Sequence, residues 1–119
     1  PPDMRHRNTG KILTREQAPR KALLRGLATS VVLYEKIRTT HAKAHAVQPL
    51  VERMITLAKA KTPASTRRMG ETLYTEGAVK KAMEVLGPRY VARVGGYTRI
   101  TKIGRRQGDA ANMVVLEFV

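Results

Sequence analysis

Apolar residues recur at helical spacing between Ala18 and Tyr34, which predicts the first helix. The expected buried stripe consists of Leu23, Leu27, Val31 and Tyr34, with Leu24 and Ala28 beside it. Pro19 suits the first turn of this helix, because the N–H that proline lacks would have no partner there.

A short β-prone segment and a long second helix follow. The segment "KIRTT", residues 36–40, favours a strand because β-branched residues are common in strands. The Thr40 hydroxyl is expected to cap the next helix, which runs to about Lys61. Pro49 lies in the middle of that helix and predicts a kink or a break. The expected buried stripe is Val47, Leu50, Val51, Met54, Ile55 and Ala58.

Two shorter helices are expected in the next third of the chain. The stretch "KTPAST" is typical of a linker with turn residues. Helical patterns then cover residues 65–73 and 76–86. The second helix should bury Val79, Ala82, Met83 and Leu86, and Gly87 and Pro88 are predicted to end it.

Two strands close the chain, over residues 97–103 and 113–119, joined by a polar connection. In the last strand Val114, Leu116 and Phe118 share one face. The fold class is therefore α+β, with helices packed on a small mixed three-stranded sheet. We expect residues 1–119 to form a single domain, with an extended basic arm over residues 1–14 and a globular body over residues 15–119.

Charge is the strongest compositional signal. The chain of 119 residues carries 23 Lys and Arg against 9 acidic residues, for a net charge of +14. This exceeds what solubility requires and favours a polyanionic partner, either nucleic acid or an anionic membrane. Insertion into a membrane is not expected, because no apolar stretch is long enough to span one. The opening shows no signal peptide, and we expect the natural start to be Met4.

Enzyme chemistry has little support in the sequence. The absence of cysteine excludes thiolate chemistry and disulfides. His41 and His45 have a spacing that can place two imidazoles on one metal, but no third ligand is evident, and solvated or RNA-facing histidines are the ordinary interpretation. Gly95 and Gly96 precede a strand, where a turn is more typical than a phosphate loop. We therefore expect no catalytic residue, metal, cofactor or small-molecule substrate.

Nucleic-acid binding is better supported. Each phosphate neutralised by Lys or Arg releases a counterion, and arginine clamps phosphate with two donors. Aromatic residues are only 4% of the chain, too few for a surface that stacks bases. No helix-turn-helix pattern supports DNA reading. Contact with the backbone and 2′-hydroxyls of folded RNA fits better. Hydrogen bonds are expected from the hydroxyls of Thr39, Thr40 and Thr98 and the amides of Gly95 and Gly96.

Six segments occur in an order that resembles a known family. They are "MRHRNTGKIL", "IRTTHAKA", "MITLAK", "LGPRY", "GGYTRITK" and "GDAANMVVLEF". Together, over essentially all of residues 4–119, they resemble protein seventeen of the bacterial large ribosomal subunit. The resemblance implies a structural protein of that subunit, which binds and clamps large-subunit ribosomal RNA near the nascent-chain exit. It further implies protein thirty-two as a neighbour and a cytoplasmic ribosome, an organellar ribosome being the alternative.

The family's motifs also imply site residues. Its basic N-terminus corresponds to Arg5, His6, Arg7 and Lys11, its "TT-x-x-K" region to Thr39, Thr40 and Lys43, and its "PRY…GGYTR" segment to Arg89, Tyr90, Arg93, Gly95, Gly96, Tyr97 and Arg99. The remaining expected RNA contacts are Arg15, Arg20, Arg25, Arg38, Arg67, Arg68, Thr98, Arg105 and Arg106. The alternative function is a free RNA- or DNA-binding regulator or RNA chaperone.

Overall fold

The structure, a computed structural model, describes residues 17–119 of the chain. Four helices and three strands make up this part. The helices are α1 (Gln17–Tyr34), α2 (His41–Ala60), α3 (Pro63–Thr72) and α4, which begins as Glu76–Lys81, passes through a π-helical turn Ala82–Leu86 and ends as Gly87–Arg89. The strands are β1 (Lys36–Thr40), β2 (Thr98–Arg105) and β3 (Asn112–Phe118). The predicted α+β class is confirmed, and the predicted arm over residues 1–14 lies outside the described residues.

The three strands form one sheet in the order β1-β3-β2. Both strand pairs are antiparallel, so the prediction of a mixed sheet is wrong in this detail. The connection between β2 and β3 is too short for the crossover that parallel strands need. On β3 the predicted alternation is confirmed, since Val114 and Leu116 are fully buried and Phe118 packs against the core.

Helix α2 lies at the centre of the fold and packs against α1, α3, α4 and the sheet. Its predicted stripe is confirmed: Val47, Val51, Met54, Ile55 and Ala58 are buried and Leu50 is partly buried. The helix is continuous through Pro49, so the predicted alternative of a break there is wrong. The proline is exposed, while Val47 and Val51 on either side of it hold the helix to the core and outweigh one lost hydrogen bond.

Threonine hydroxyls cap the N-termini of three of the described helices. Thr40 accepts a hydrogen bond from the Lys43 N–H, which confirms the predicted cap. Thr62 and Ser65 form a reciprocal capping box at the start of α3, with Pro63 in its first turn. The predicted linker "KTPAST" is therefore mostly the start of a helix. Thr75 caps α4 in the same way. Each cap stabilises its helix by about 1 kcal/mol.

The buried face of α1 is rotated relative to the prediction. Ala28, Val31 and Val32 are fully buried, and Leu24 rather than Leu23 packs on the core. Tyr34, predicted to be buried, is 72% exposed. The helix ends at this tyrosine, and Glu35 after it has a φ of 65°, so the chain turns there into β1.

Helix α4 does not end at Gly87 and Pro88, contrary to the prediction. The Gly87 N–H donates to the Ala82 carbonyl, which widens the helix into a π turn just before the proline. This changes the hydrogen-bond register where Pro88 has no N–H to offer, and the helix continues to Arg89. Gly87 instead permits close packing, since an added Cβ would lie 2.9 Å from the Ala58 carbonyl oxygen of α2.

An ion cluster joins the end of α1 to α4. The Glu35 carboxylate is held by the Arg89 guanidinium and by the Lys81 ammonium at 3.1 Å. Lys81 also donates to the Leu33 carbonyl at 2.8 Å, which satisfies an otherwise open group at the helix end. The hydrogen bond from Arg89, followed by that from Lys81, lowers the pKa of Glu35 to about 2.

Replacing Gly87 with alanine should destabilise the protein by roughly 1–3 kcal/mol, because the new methyl group meets the main chain of α2. Gly70 in α3 provides the matched control, since its added Cβ would meet nothing within 4 Å. Gly70→Ala should be neutral or stabilising by up to about 1 kcal/mol. Urea denaturation of both variants measures the difference, and equal stability of the two would contradict the close packing of α4 on α2.

The Glu35 cluster should make stability depend on acid pH. A carboxylate whose pKa is lowered from 4.5 to about 2 in the folded state stabilises the protein above pH 4.5, and this contribution is lost as pH falls towards 2. Glu35→Gln should therefore cost up to about 1 kcal/mol at pH 6, a small value because this side chain is 38% exposed and screened by solvent. The melting temperatures of wild type and Glu35→Gln should converge as pH falls from 4.5 to 2. A constant difference between them would refute the ion cluster.

Candidate nucleic-acid interface

The outer face of the sheet, opposite the helices, is open and basic. On β1 the side chains of Ile37 and Thr39 face the core, so Lys36 and Arg38 face outward and are exposed. On β2 the outward, exposed side chains include Arg99 and Thr101. We call this surface the outer sheet face. Strands of alternating pattern produce it, with one set of residues in the core and the other free for a partner.

A groove runs along the outer sheet face. The register pairs Arg38 with Val115 on the central strand, and Val115 with Thr101 on the far strand. The outer strands lie about 10 Å apart, with half-buried β3 side chains as the floor between them. The groove has a volume of about 460 Å³ and is lined by Lys36, Ile37, Arg38, Thr101, Val115 and Glu117.

An ion pair crosses one end of this groove. The Arg99 Nε donates to a Glu117 carboxylate oxygen at 2.8 Å, as their opposed positions in the register allow. The Arg99 side chain remains 62% exposed. The pair therefore fixes the direction of the guanidinium while its terminal NH₂ groups stay accessible to a phosphate.

The connection between β2 and β3 extends the basic surface. Arg106 donates two hydrogen bonds to Asp109, at 3.0 and 2.6 Å, and this lowers the pKa of the Asp109 carboxyl to about 2. Asp109 also accepts the Ala111 N–H, so the carboxylate shapes the turn. Arg105 lines a second recess of about 290 Å³ together with His41 and Lys102. Arg105 and Arg106 also line a recess of about 330 Å³ together with Arg38, so the hairpin extends the basic surface beyond the groove.

Acidic residues are distributed in a way that leaves the sheet side positive. Glu117 and Asp109 are paired with arginines on the sheet side, as described above. On the helix side, Glu71, Glu76 and Glu84 are exposed. Among residues 17–119 these three take part in none of the ion pairs. A polyanion approaching the outer sheet face therefore meets cations whose nearby acids are already neutralised.

Two side chains of α2 hold the segment that leads into β2, and neither was predicted from the sequence as a functional residue. Glu52 accepts hydrogen bonds from the Tyr97 and Thr98 N–H groups and from the Thr98 hydroxyl. Lys59 donates to the Tyr97 hydroxyl and to the Arg93 carbonyl. The only sequence signal was polar residues seven apart at positions 52 and 59, two helical turns on one side of α2.

The predicted RNA contacts fall into separate groups in the structure. Arg38, Arg99, Arg105 and Arg106 lie on the outer sheet face and its hairpin, with Thr40 at the edge. Arg89, Arg93, Gly95 and Gly96 are exposed around the segment before β2. Arg20, Arg25, Lys43, Arg67 and Arg68 lie on α1, α2 and α3. Arg5, His6, Arg7, Lys11 and Arg15 lie outside the described residues.

Several predicted contacts have internal partners. Tyr90 and Tyr97 are only 4% and 2% exposed, and Thr39 and Thr98 are also buried. The Tyr90 hydroxyl donates to the Val119 carbonyl, and the two tyrosine rings lie 5.3 Å apart. Arg25 stacks over the Tyr74 ring and donates to the Thr72 carbonyl. These side chains support the surface from within, and their exposed neighbours form the surface itself.

The two candidate metal ligands do not form a metal site with other described side chains. The His41 and His45 rings lie 4.2 Å apart between centroids. Within residues 17–119 no group of three or more His, Cys, Asp or Glu residues has the geometry for a metal ion. Over the same residues no helix combines the length and hydropathy needed to cross a bilayer.

Comparison with known proteins identifies the family. The family model for ribosomal protein L17 matches residues 23–119. Large ribosomal subunit protein bL17 of Thermomicrobium roseum is 47% identical over 116 residues, which cover 98% of this chain and 99% of the relative. The bL17 protein of Solibacter usitatus is 52% identical over 116 residues, covering 98% and 77%. That of Natranaerobius thermophilus is 50% identical over 109 residues, covering 92% and 96%. The chain therefore belongs to the ribosomal protein L17 family, a family of large ribosomal subunit proteins.

Proposed function

We propose that this protein binds large-subunit ribosomal RNA through its outer sheet face, the adjoining hairpin and the segment before β2. It neutralises and clamps RNA as a structural part of the subunit. The observation that carries the proposal is the open groove between Lys36 and Arg38 on one side and Thr101 on the other, with the Arg99–Glu117 ion pair at one end. Family membership supports ribosomal RNA over other polyanions.

The mode of binding follows from what the groove offers. Its walls supply ammonium and guanidinium groups and a threonine hydroxyl, which suit phosphate and ribose oxygens. Its floor contains Val115 and no aromatic ring, so bases cannot stack there. The protein therefore reads the shape and backbone of folded RNA and not base sequence.

The resemblance supports finer points of the same proposal. The whole chain acts as one RNA-binding unit, with residues 1–14 as a basic arm and residues 15–119 as its body. Arg5, His6, Arg7, Lys11 and Arg15 contribute further phosphate contacts. The protein lies near the nascent-chain exit of a cytoplasmic ribosome, with protein thirty-two as a neighbour. It needs no cofactor and acts on no small-molecule substrate.

Replacing Lys36 and Arg38 with alanine should weaken binding to protein-free large-subunit ribosomal RNA without lowering the melting temperature, because both side chains are exposed. If each contacts one phosphate, the slope of log K against log salt should fall by roughly 1.5–2. Filter binding at several salt concentrations measures this slope. Lys80→Ala on α4 is the matched control, since it removes an exposed cation away from the groove. An equal loss from Lys80→Ala would contradict a specific interface on the sheet.

Sedimentation separates the ribosomal role from a free RNA- or DNA-binding regulator. We expect the wild-type chain in a cell lysate to sediment with large subunits in a sucrose gradient and to remain there after a high-salt wash. A protein that is part of the subunit is retained, because many phosphate contacts and the neighbouring subunit proteins hold it in place. A slowly sedimenting pool, or complete loss in the wash, would instead favour the regulator or RNA chaperone.

A further inference from the structure

We propose that Glu52, an acidic residue, is a positioning residue for RNA binding, because it shapes a turn whose main-chain N–H groups at residues 94–96 bind an RNA phosphate. The inference rests on the proposed function and adds a site to it. It runs against the trend of the rest of the surface, where positive charge promotes RNA binding and negative charge opposes it.

Glu52 acts as a fixed acceptor at the start of β2. One carboxylate oxygen accepts the Tyr97 N–H at 3.1 Å, and the other accepts the Thr98 N–H at 2.8 Å and the Thr98 hydroxyl at 2.6 Å. Gln48, one turn earlier on α2, donates to the same hydroxyl at 3.1 Å. Hydrogen bonds to a charged acceptor contribute more than neutral ones. The carboxylate therefore sets where the turn ends and where β2, with Arg99, begins.

Lys59 fixes the other end of the turn. Its ammonium group donates to the Arg93 carbonyl and, at 3.0 Å, to the Tyr97 hydroxyl. The Tyr97 hydroxyl in turn donates to the Arg93 carbonyl at 3.2 Å. The Tyr97 ring is buried, so this contact anchors the segment to α2. Lys59 of α2 thus holds both residue 93 and residue 97, and the residues between them project away from α2.

The projecting turn offers donors and no obstruction. Among the described residues, none accepts a hydrogen bond from the N–H of Val94, Gly95 or Gly96. Gly96 has a φ of 62°, in the left-handed region. Successive N–H groups around such a residue form a concave site that binds anions. An added Cβ at Gly95 would meet nothing within 4 Å, so the chain itself does not require glycine there. Glycine is required there by a partner that lies directly against the main chain, where a side chain would obstruct it.

Charge identifies the partner as an anion. The Arg93 Nε donates to the Gly95 carbonyl at 3.2 Å, which holds its guanidinium beside the turn. Arg99 follows on β2, with its side chain exposed. Val94 is 97% exposed, and Gly95 and Gly96, whose exposed surface is main chain, are exposed as well. The phosphodiester of ribosomal RNA supplies such an anion where the groove of the outer sheet face already directs the RNA.

The first test adds one methyl group. Gly95→Ala should weaken binding of the full chain to protein-free large-subunit ribosomal RNA about tenfold, the loss expected of one hydrogen bond to a charged group. The melting temperature and the salt slope should not change, because the new Cβ has open space and no cation is removed. Gly77→Ala is the matched control, since its Cβ also meets nothing within 4 Å and it lies on α4. Equal affinities of the two variants would overturn the phosphate site.

The second test uses the sign of the charge. Glu52→Gln removes a negative charge, so electrostatics alone predicts tighter RNA binding. We expect weaker binding, because one glutamine oxygen cannot accept all three hydrogen bonds and the amide group opposes a donor. Glu71→Gln on α3, the matched control, should bind as tightly as wild type or slightly more tightly. Binding of Glu52→Gln as tight as that of Glu71→Gln would refute the positioning role.

A double variant separates positioning from general destabilisation. If Glu52 acts through the turn, Gly95→Ala combined with Glu52→Gln should lose little more affinity than Glu52→Gln alone. Fully additive losses would mean that Glu52 acts elsewhere in the fold and would overturn the inference. The same titration includes the wild-type chain. If the wild-type chain itself fails to bind the RNA, the proposed function is refuted instead.

Discussion

The packing of α2 against the inner side of β3 is the contact on which the rest of the molecule depends. Val114 and Leu116 are fully buried, as are Val47, Val51 and Ile55 of the helix. Each such side chain contributes roughly 1.5–3 kcal/mol when removed from water. This packing covers one side of the sheet and leaves the other free. The same helix carries Glu52 and Lys59, so one element both completes the core and shapes the basic surface.

Paired acids explain how a chain of this charge can fold and still bind a polyanion. Glu35 joins α1 to α4, Glu117 directs Arg99, and Asp109 shapes the hairpin. Each carboxylate reduces local repulsion between cations and gives an arginine or lysine a fixed direction. Internal structure therefore uses the acids near the interface, while a surplus of cations remains for an external anion.

The sequence predicted well wherever a short-range pattern determined the outcome. The spacing of apolar residues in α2, the Thr40 cap and the alternation in β3 all depend on neighbours along the chain. The prediction of Gly87 as a helix end was wrong because its role depends on the Ala58 carbonyl of another helix. The prediction that Tyr34 is buried was wrong for a similar reason, since the exposure of this side chain depends on how the chain turns into β1. Glu52 was missed because an isolated glutamate in a helix gives no sign of which amides it will meet.

Reactivity of lysine side chains tests the central claim, that RNA covers the outer sheet face and not the helix side. Large subunits that contain the protein would be treated with an amine-reactive reagent before and after digestion with ribonuclease, and labelling would be read by mass spectrometry. Lys36 and Lys80 are both exposed in the chain itself. We expect Lys36 to be protected in the subunit and to become reactive after digestion, while RNA does not protect Lys80. Protection of Lys80 by RNA with Lys36 reactive throughout would contradict it.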